Sequence, residues 1–411
     1  MQNRNLLLLW TGKLVSALGD RMYAIAIAWW ILEVTNSPAM MGLYLLAATL
    51  PMVLMGIIAG AIIDKSNLKR VIIIADVVRG IGITLLGLLF LAGKLTLFSV
   101  FSTTVVISLA SAFFNPAVTS IVPRIVQKSE CGKANSLIQL VDGIAKVAGP
   151  FAGVAMVAAT GYAGAFLING ISFLLSAFFE GFICYERKHI LWRKSSDNDP
   201  GKSKTLINDI QAGLQYIFSN ARLLNLLFYI FVAHFFVGAL SVMLPVMAKF
   251  VSNDNLNLLG ILETVLGAGF VVGALILSRR SEEKFSIDSL PKIFVLVGFS
   301  IVTIGVIAFF SSLPLLLFAL PVFVIGYCIV FASINWKTFM QVNTPPEKLG
   351  RVAAISGLVG DITLPIAFGL YGFLLDQLDF VVLTIISGCL LIIAIYIINL
   401  GTRKRLAPVR V

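Results

Sequence analysis

An acid and a base stand side by side in the middle of an apolar run near the start of the chain. Asp20 and Arg21 lie within LLLLWTGKLVSALGDRMYAIAIAWWIL, residues 6–32. A charged side chain at the centre of a bilayer costs about 3 kcal/mol on insertion scales, and such residues mark functional sites. Two roles fit these residue types. The pair forms a salt bridge to another helix, or Asp20 takes up a coupling proton or binds a cationic ligand.

Further titratable groups interrupt apolar runs later in the chain. Glu263 and Asp361 are alternatives to Asp20 for the same proton, and His234 is either a polar group that faces the protein interior or a contact for a proton or substrate. Asp142 and Lys146 stand four residues apart with the acid first, which favours an ion pair on one helix face. The lysines within apolar runs are candidate partners of these acids: Lys13, Lys146 and Lys337.

Other chemistries lack the residues that they would need. His189 and His234 are the only histidines, so the sequence predicts neither a metal cluster nor a histidine-based catalytic triad. The four cysteines have no short paired spacing, and no segment resembles the glycine-rich loop that binds nucleotide phosphates. We therefore expect no cofactor, no metal ion and no enzymatic activity.

The elements that position these residues must cross a lipid bilayer. The chain of 411 residues is 59% hydrophobic and 12% charged, whereas soluble domains carry about 25% charged residues. Apolar runs of about 20 residues, each long enough to span a bilayer as a helix, recur along the chain. Twelve spans are predicted, near residues 6–32, 39–63, 69–92, 97–122, 135–159, 164–185, 223–249, 256–278, 290–311, 313–337, 351–375 and 379–401. The sequence thus predicts an all-α membrane protein.

The basic residues predict the orientation of these spans. With twelve crossings, almost every Lys and Arg between spans falls on the side that holds both termini, and the other side receives Lys94 and Lys249. Because cytoplasmic loops are enriched in Lys and Arg, both termini are predicted to be cytoplasmic, in a bacterial inner or plasma membrane. This placement accounts for the net charge of +11. We therefore predict contact with the lipid bilayer and no nucleic-acid site.

The longest polar stretch divides the chain into two six-span halves. We predict an N-terminal bundle over residues 1–187, a cytoplasmic linker over residues 188–220, and a C-terminal bundle over residues 221–411. The linker includes a segment with apolar residues at helical spacing, which is typical of a helix that lies on the membrane surface.

The two halves look like weak repeats of each other. Gly132 and Lys133, before the fifth span, match Gly350 and Arg351, before the eleventh. Two parallel six-helix halves, related by an axis along the membrane normal, form a known transporter architecture. We therefore predict two pseudo-symmetric six-helix bundles.

The loop after the second span reads GAIIDKSNLKR, starting at Gly60. Asp64 stands one turn after this glycine, where its carboxylate can bond the orphan amides at the N-terminus of a neighbouring helix. Such a contact would exist in one conformation and break in the other, which makes a gate; the alternative is an ordinary basic turn. The basic residues of this loop are Lys65, Lys69 and Arg70.

Two more motifs lie within spans. Asp76 and Arg79, in ADVVRG, are three residues apart and can face each other on one helix side, and we expect them to join the ion network of the preceding loop. Gly149-Pro150 and Gly153, in the fifth span, predict a bend and a close approach by another helix.

These segments, in this order, resemble the major facilitator superfamily. GAIIDKSNLKR looks like the family signature between spans two and three, with Asn67 and Leu68 as departures from it. The Gly149-Pro150 segment looks like the antiporter signature of the drug-exporting branches. SALGD, EVTNSPAMMGL, ADVVRG, FFNPA and GKANS make the chain most similar to the macrolide and siderophore exporters of that superfamily.

The resemblance implies a mechanism of alternating access, in which two six-helix bundles rock around a central cavity. It implies proton antiport, and it implies that Asp64 caps the eleventh span, which starts at Gly350-Arg351. We expect a monomeric transporter that exports small amphipathic molecules, such as drugs, in exchange for protons. Export of a siderophore or a lipid-like metabolite stays open, as does a membrane sensor or scaffold that binds a ligand without pumping.

Tryptophans near the end of the first span have two possible environments. Trp29 and Trp30 could line a pocket for an apolar ligand, but their position near the outer end of the span favours the aromatic belt at the membrane surface. We therefore expect both indole rings to face the lipid interface.

Overall fold

The structure, a computed structural model, describes residues 4–127, 130–184, 206–251, 255–278, 289–310 and 314–406. Within these ranges the chain is helical and has no strand, so the predicted all-α fold is confirmed. The helices are α1 (Arg4–Thr35), α2 (Pro38–Lys65), α3 (Leu68–Leu91), α4 (Leu97–Ile125), α5 (Cys131–Gly181), α6 (Leu206–Ser219), α7 (Ala221–Val246), α8 (Leu256–Ser278), α9 (Leu290–Phe309), α10 (Ala319–Asn343), α11 (Pro346–Gln377) and α12 (Phe380–Leu406). A π-helix, Met247–Val251, continues α7.

Helix α5 contains two membrane spans. It bends at Gly161, whose φ of 67° lies in the left-handed region that favours glycine. Before the bend, Gly149 packs on Arg21 of α1; after it, α1 packs on Asn169 through Gly19. The chain therefore reverses direction at Gly161, and the two halves of α5 lie on either side of α1.

The helices are long and apolar enough to cross a membrane. Eleven helices among the described residues meet this condition, and the stretch from Leu140 to Gly181 is counted once although its 42 residues cross twice. Large apolar side chains remain on the surface, with Phe98 83% exposed and Leu320 71% exposed. Water would penalise such a surface, whereas lipid matches it. The twelve predicted spans thus agree with α1 to α5 and α7 to α12.

Helix α6 packs against the start of α11. A Cβ added at Gly213 would lie 3.2 Å from Cβ of Arg351, and the ammonium of Lys348 lies 4.2 Å from the ring centre of Tyr216. The surface helix expected in the linker is therefore anchored on the second half of the chain. The rest of that linker, residues 188–205, lies outside the described residues.

The two halves meet along two pairs of helices. Helix α2 packs on α11, where Gly42 and Gly372 bring their backbones together, and a Cβ added at Gly42 would lie 2.8 Å from the Cα of Gly372. Helix α5 packs on α8, where Gly267 lies against the backbone of Lys146. Because glycine has no side chain, it lets two helices approach this closely. Both seams therefore depend on glycines that face the other half.

The expected position of Trp29 and Trp30 is wrong. The two side chains are 5% and 6% exposed, and they belong to the main buried core. The ammonium of Lys249 lies 5.7 Å from the centre of the Trp29 ring. Since Lys249 follows α7, this contact joins the ends of α1 and α7 beneath the surface, and the ring is not available to a lipid interface.

Candidate transport site

Residues from both halves line a cavity at the centre of the molecule. The cavity has a volume of about 320 Å³, and the charged groups in its wall are Arg21 of α1, Lys146 of α5 and Glu263 of α8. Met41, Pro150 and Phe270 are among the uncharged residues that complete the wall. Charged groups are expensive within a membrane and usually face an interior pathway. This cavity is therefore the central candidate for a transport site, and we refer to it as the chamber.

The glycines of the fifth span explain how Arg21 reaches the chamber. A Cβ at Gly149 would collide with Cβ of Arg21, and one at Gly153 would lie 3.0 Å from the Cα of Met22. The Gly149-Pro150 segment thus gives α1 the room to pass α5 at the level of Arg21. The Gly149-Pro150 motif of α5 and the Asp20–Arg21 pair of α1 therefore lie at the same helix contact.

Asp20 and Arg21 are both exposed, although they lie in the middle of α1 between buried Gly19 and half-buried Met22. The nearest groups show that this exposure is internal. Arg79 and Arg21 are the cations that act on the Asp20 carboxyl, and Asn169 lies beside it. Arg21 also acts on Glu263 across the chamber. Arg21 therefore stands between an acid of its own half and an acid of the other half.

The predicted pair of Asp142 and Lys146 is not formed. Asp142 forms its ion pair with Lys13 of α1, at 3.0 Å. Lys146, one turn later, points toward α8, where its ammonium lies 5.0 Å from the centre of the Phe270 ring. The charge of Asp142 still acts on Lys146, as their spacing on one helix face allows, but the ion pair within 4 Å is the one with Lys13.

A larger cavity, of about 700 Å³, lies within the C-terminal half. It is lined by His234 of α7, by Trp336 and Lys337 of α10 and by Asp361 of α11, and it extends to Gly350 at the start of α11. The ring of His234 lies 5.4 Å from that of Trp336, and its Nδ1 lies 2.8 Å from the backbone oxygen of Ile230. The structure thus brings together two of the predicted candidates, His234 and Asp361, with an aromatic wall between α7 and α10.

A third group of charges is buried inside the N-terminal half. Arg79 forms an ion pair with Asp76, as their spacing predicts. The Arg79 guanidinium lies between two aromatic rings, 3.9 Å from the centre of Phe114 and 4.6 Å from that of Phe173. The expected link between this pair and the loop of residues 60–70 stays a prediction, because the side chains of Asp64 and Lys65 lie outside the described residues. The pair belongs to the core of the half and acts on Asp20.

Glu180, near the end of α5, is a site residue that sequence reasoning missed. It is 1% exposed, and its carboxyl acts on Asp76 and Arg79. The only signal in the sequence is an isolated acid in AFFEGF, at the end of the sixth apolar run. A single acid at the end of a span reads as a boundary residue, and only the packing of α5 on α3 turns it inward.

The loop of residues 60–70 lies at one end of the bundle, and we call that end the basic face. The ammonium of Lys69 donates to the backbone oxygen of Gly181 at 2.6 Å, where α5 ends. A cation suits the carboxyl end of a helix. Arg70 is exposed in the first turn of α3, and its backbone N–H donates to the side chain of the cap residue Asn67. The side chains of Asp64 and Lys65 lie outside the described residues, so the predicted cap on α11 stays a prediction.

The two halves are joined at the end away from the basic face, which we call the opposite face. At the basic face, Gly60 of α2 and Gly350 of α11 each have no atom of the described structure within 4 Å of an added Cβ. At the opposite face, Asp376 near the end of α11 accepts hydrogen bonds from the Ser37 hydroxyl at 2.9 Å and the Ala39 amide at 3.2 Å. Together with the Gly42–Gly372 contact, these bonds close that face.

Curated proteins that resemble the chain are bacterial transporters. It is 28% identical to "Uncharacterized MFS-type transporter YkuC" of Bacillus subtilis, over 86% of this chain and 81% of that protein. It is 20% identical to "Macrolide efflux protein A" of Streptococcus pyogenes, over 93% and 92% of the two chains. It is 24% identical to "Multidrug efflux pump Tap" of Mycolicibacterium fortuitum, over 90% and 89%. The relatives thus include efflux pumps.

Solved structures and a family model agree with this assignment. A bacterial homologue of the iron transporter ferroportin, in an inward-facing state, superposes with a TM-score of 0.72 at 17% identity, over 98% of this chain and 99% of that one. This likeness concerns the fold. The model of the Major Facilitator Superfamily matches residues 9–370. With twelve spans, two halves and a charged chamber between them, the chain belongs to the major facilitator superfamily of membrane transporters.

Proposed function

We propose that the protein exports small amphipathic molecules from the cytoplasm in exchange for protons. The observation that carries this proposal is the chamber, whose wall combines titratable groups from both halves, Arg21, Lys146 and Glu263, with apolar side chains. An amphipathic ligand needs both kinds of surface. The relatives named as macrolide and multidrug efflux proteins support export as the direction of transport.

The orientation and the gate form part of the proposal. The basic face lies in the cytoplasm, since Lys and Arg are enriched on that side of membrane proteins. The conformation described above would then accept a ligand from the cytoplasm, because its halves are joined at the opposite face. When the halves rock, Asp64 caps the N-terminus of α11 and closes the basic face, with Lys65, Lys69, Arg70 and Arg351 around it.

Asp20 is the acid that we expect to exchange the coupling proton with the chamber. It is exposed to the interior space, and its carboxyl lies near Arg21 and Arg79. Asp20→Asn keeps the shape of the side chain and removes its charge. We expect this variant to insert normally and to lose proton-driven export, as measured by efflux from energised, efflux-deficient cells with and without an uncoupler.

A matched control comes from the surface. Asp379 caps the start of α12 through the amides of Val381 and Val382, and asparagine caps a helix equally well. Asp379→Asn should therefore export at the wild-type rate. The substrate is found first, by screening the wild type against a panel of toxic amphipathic compounds that includes macrolides. If Asp20→Asn pumps as fast as the wild type, Asp20 does not couple the proton.

The alternatives differ in outcome in the same assays. If the protein exports siderophores or lipid-like metabolites, then these compounds, and not drugs, should cause proton movement in reconstituted vesicles. A sensor would bind a compound tightly and move no protons with any member of the panel. Charged residues within the membrane would bring a static sensor little benefit, because each is costly to insert.

A further inference from the structure

The interior of the N-terminal half holds more acids than bases. Asp20 of α1, Asp76 of α3 and Glu180 of α5 lie around the guanidinium of Arg79, and each acts on at least one of the others. Asp76 is 0% exposed and Glu180 is 1% exposed. Arg21 also acts on Asp20, so Asp76 and Glu180 share Arg79, and two ionised carboxylates beside this one guanidinium would leave one uncompensated negative charge among buried groups. Low-dielectric surroundings make such a charge costly, so the site favours the uptake of a proton.

The Arg79 guanidinium cannot neutralise all three carboxylates. Its guanidinium is engaged by the Asp76 carboxylate, by the backbone oxygen of Ala75 at 3.3 Å and by the rings of Phe114 and Phe173. Other cations near these helices act elsewhere, and Arg21 acts on Asp20 and on Glu263. Lys13 pairs with Asp142, and Lys69 is bound to the backbone at the end of α5.

Two carboxyl oxygens in this site have no hydrogen-bond partner among the described residues. They are Oδ2 of Asp76 and Oε2 of Glu180. The other oxygen of Glu180, Oε1, accepts only a long hydrogen bond from the hydroxyl of Ser176, at 3.5 Å. A carboxylate accepts hydrogen bonds and donates none, whereas a protonated carboxyl carries one O–H donor. One proton on this pair of acids would remove a charge and supply the missing donor.

The packing of α1 on α5 places these groups in order. Gly19 lies on Asn169 and Ser172, and Gly12 lies on Ser176, nearer the basic face. Asp20 is beside Asn169 and open to the interior space, whereas Glu180 is buried one residue before α5 ends at the basic face. The acids thus lead from the middle of the membrane toward that face.

We propose that Glu180 and Asp76 form a proton-binding site behind Asp20, in which Arg79 is the positioning cation. The inference rests on the proposed exchange of substrate for protons. A proton that Asp20 accepts from the chamber moves to a carboxyl oxygen of Glu180 or Asp76 and forms an O–H bond there. It leaves from Glu180 to the basic face, and the carboxylate is restored.

The first test needs no substrate. Infrared difference spectra of the purified protein in lipid, recorded at stepped pH values, detect the carbonyl stretch of a protonated, buried carboxyl group. We expect this band in the wild type and in Asp379→Asn, and its loss in Glu180→Gln. Asp76→Asn, measured in parallel, covers the case in which Glu180→Gln does not fold. Unchanged bands in both variants would overturn the proposal.

The second test measures coupling in vesicles. With a compound that the wild type exports, a pH gradient should drive uptake into inverted vesicles, and Glu180→Gln should reduce this rate by about tenfold or more, as expected for a lost proton carrier. Exchange of labelled for unlabelled compound, which needs no gradient, should remain. A glutamine that merely damaged the fold would lower both rates, and Glu180→Asp, which restores a carboxyl, should recover part of the driven rate.

The outcomes separate this inference from the proposed function. If the wild type moves no protons with any compound, the proposed antiport fails. If a pH gradient drives transport equally well in the wild type, in Glu180→Gln and in Asp76→Asn, then the antiport stands and only the proton site at Glu180 and Asp76 fails. If a sodium gradient drives the wild type and a pH gradient does not, both the proposed proton antiport and this proton site fail.

Discussion

The two halves share a helix plan and differ in the chemistry of their interiors. In the N-terminal half, Asp76, Arg79 and Glu180 are buried among close-packed helices and aromatic rings. In the C-terminal half, His234 and Asp361 line an open cavity of about 700 Å³. A repeated architecture therefore does not impose a repeated function. The buried charges of the N-terminal half leave room for no more than a small ion. The cavity of the C-terminal half has few charged groups and has room for a larger ligand.

The largest effect that we expect comes from breaking the buried pair. Arg79→Met leaves the Asp76 carboxylate, which is 0% exposed, without its cation, and loss of one partner of a buried pair costs about 3–5 kcal/mol. The unfolding temperature in detergent should fall strongly. Asp361→Asn in the C-terminal half should change it little, because that carboxyl borders a cavity.

The double variant Asp76→Asn/Arg79→Met provides the control for this comparison. It removes both charges, so it should recover much of the stability that Arg79→Met alone loses. Equal loss in the single and double variants would mean that the aromatic contacts of Arg79, and not its charge, hold this region together.

A smaller effect should follow from filling the space that lets α1 pass α5. An alanine at Gly149 would place its Cβ against the stem of Arg21, and overpacking of this kind costs about 1–3 kcal/mol. Gly149→Ala should therefore lower both stability and transport. Gly143→Ala, on the same helix, meets no atom of the described structure within 4 Å and should be close to wild type in both assays.

The smallest effect concerns the ion pair at the edge of the N-terminal half. The side chains of Lys13 and Asp142 are 18% and 41% exposed, so their coupling should be about 0.2–1 kcal/mol. A double-mutant cycle with Lys13→Met and Asp142→Asn measures it. A cycle that combines Lys146→Met with Asp142→Asn should give a smaller coupling energy. A larger coupling energy would support the pair of Asp142 and Lys146 that the sequence spacing predicts.

The sequence predicted the helices far better than the partners of their charged residues. Long apolar runs and basic loops determine the spans, because lipid requires both. The contacts of Asp142 and Glu180 could not be predicted in this way. The partner of Asp142 lies on a helix far away in the chain, and Glu180 turns inward because α5 reverses at Gly161 and packs on α3. Contacts of this kind depend on packing between helices, which spacing within one helix does not encode.

The motifs near the glycines were predicted more fully. Gly149 and Gly153 indicated a close approach by another helix, and the structure identifies that helix as α1 at Arg21 and Met22. The spacing of Asp76 and Arg79 correctly indicated an ion pair. The surroundings of that pair could not be read from the sequence, since Phe114 and Phe173 come from two other helices.

The contacts that close the opposite face affect how evenly the two conformations of the protein are populated. Besides the Gly42–Gly372 contact, two hydrogen bonds to one exposed carboxylate, Asp376, hold this face, and a hydrogen bond to a charged group contributes a net of about 1.5–3 kcal/mol. A free-energy difference of about 1.4 kcal/mol already changes a population tenfold. The bonds to Asp376 are therefore strong enough to shift the balance between the two conformations tenfold or more, and a bound proton or ligand that opens this face must offset them.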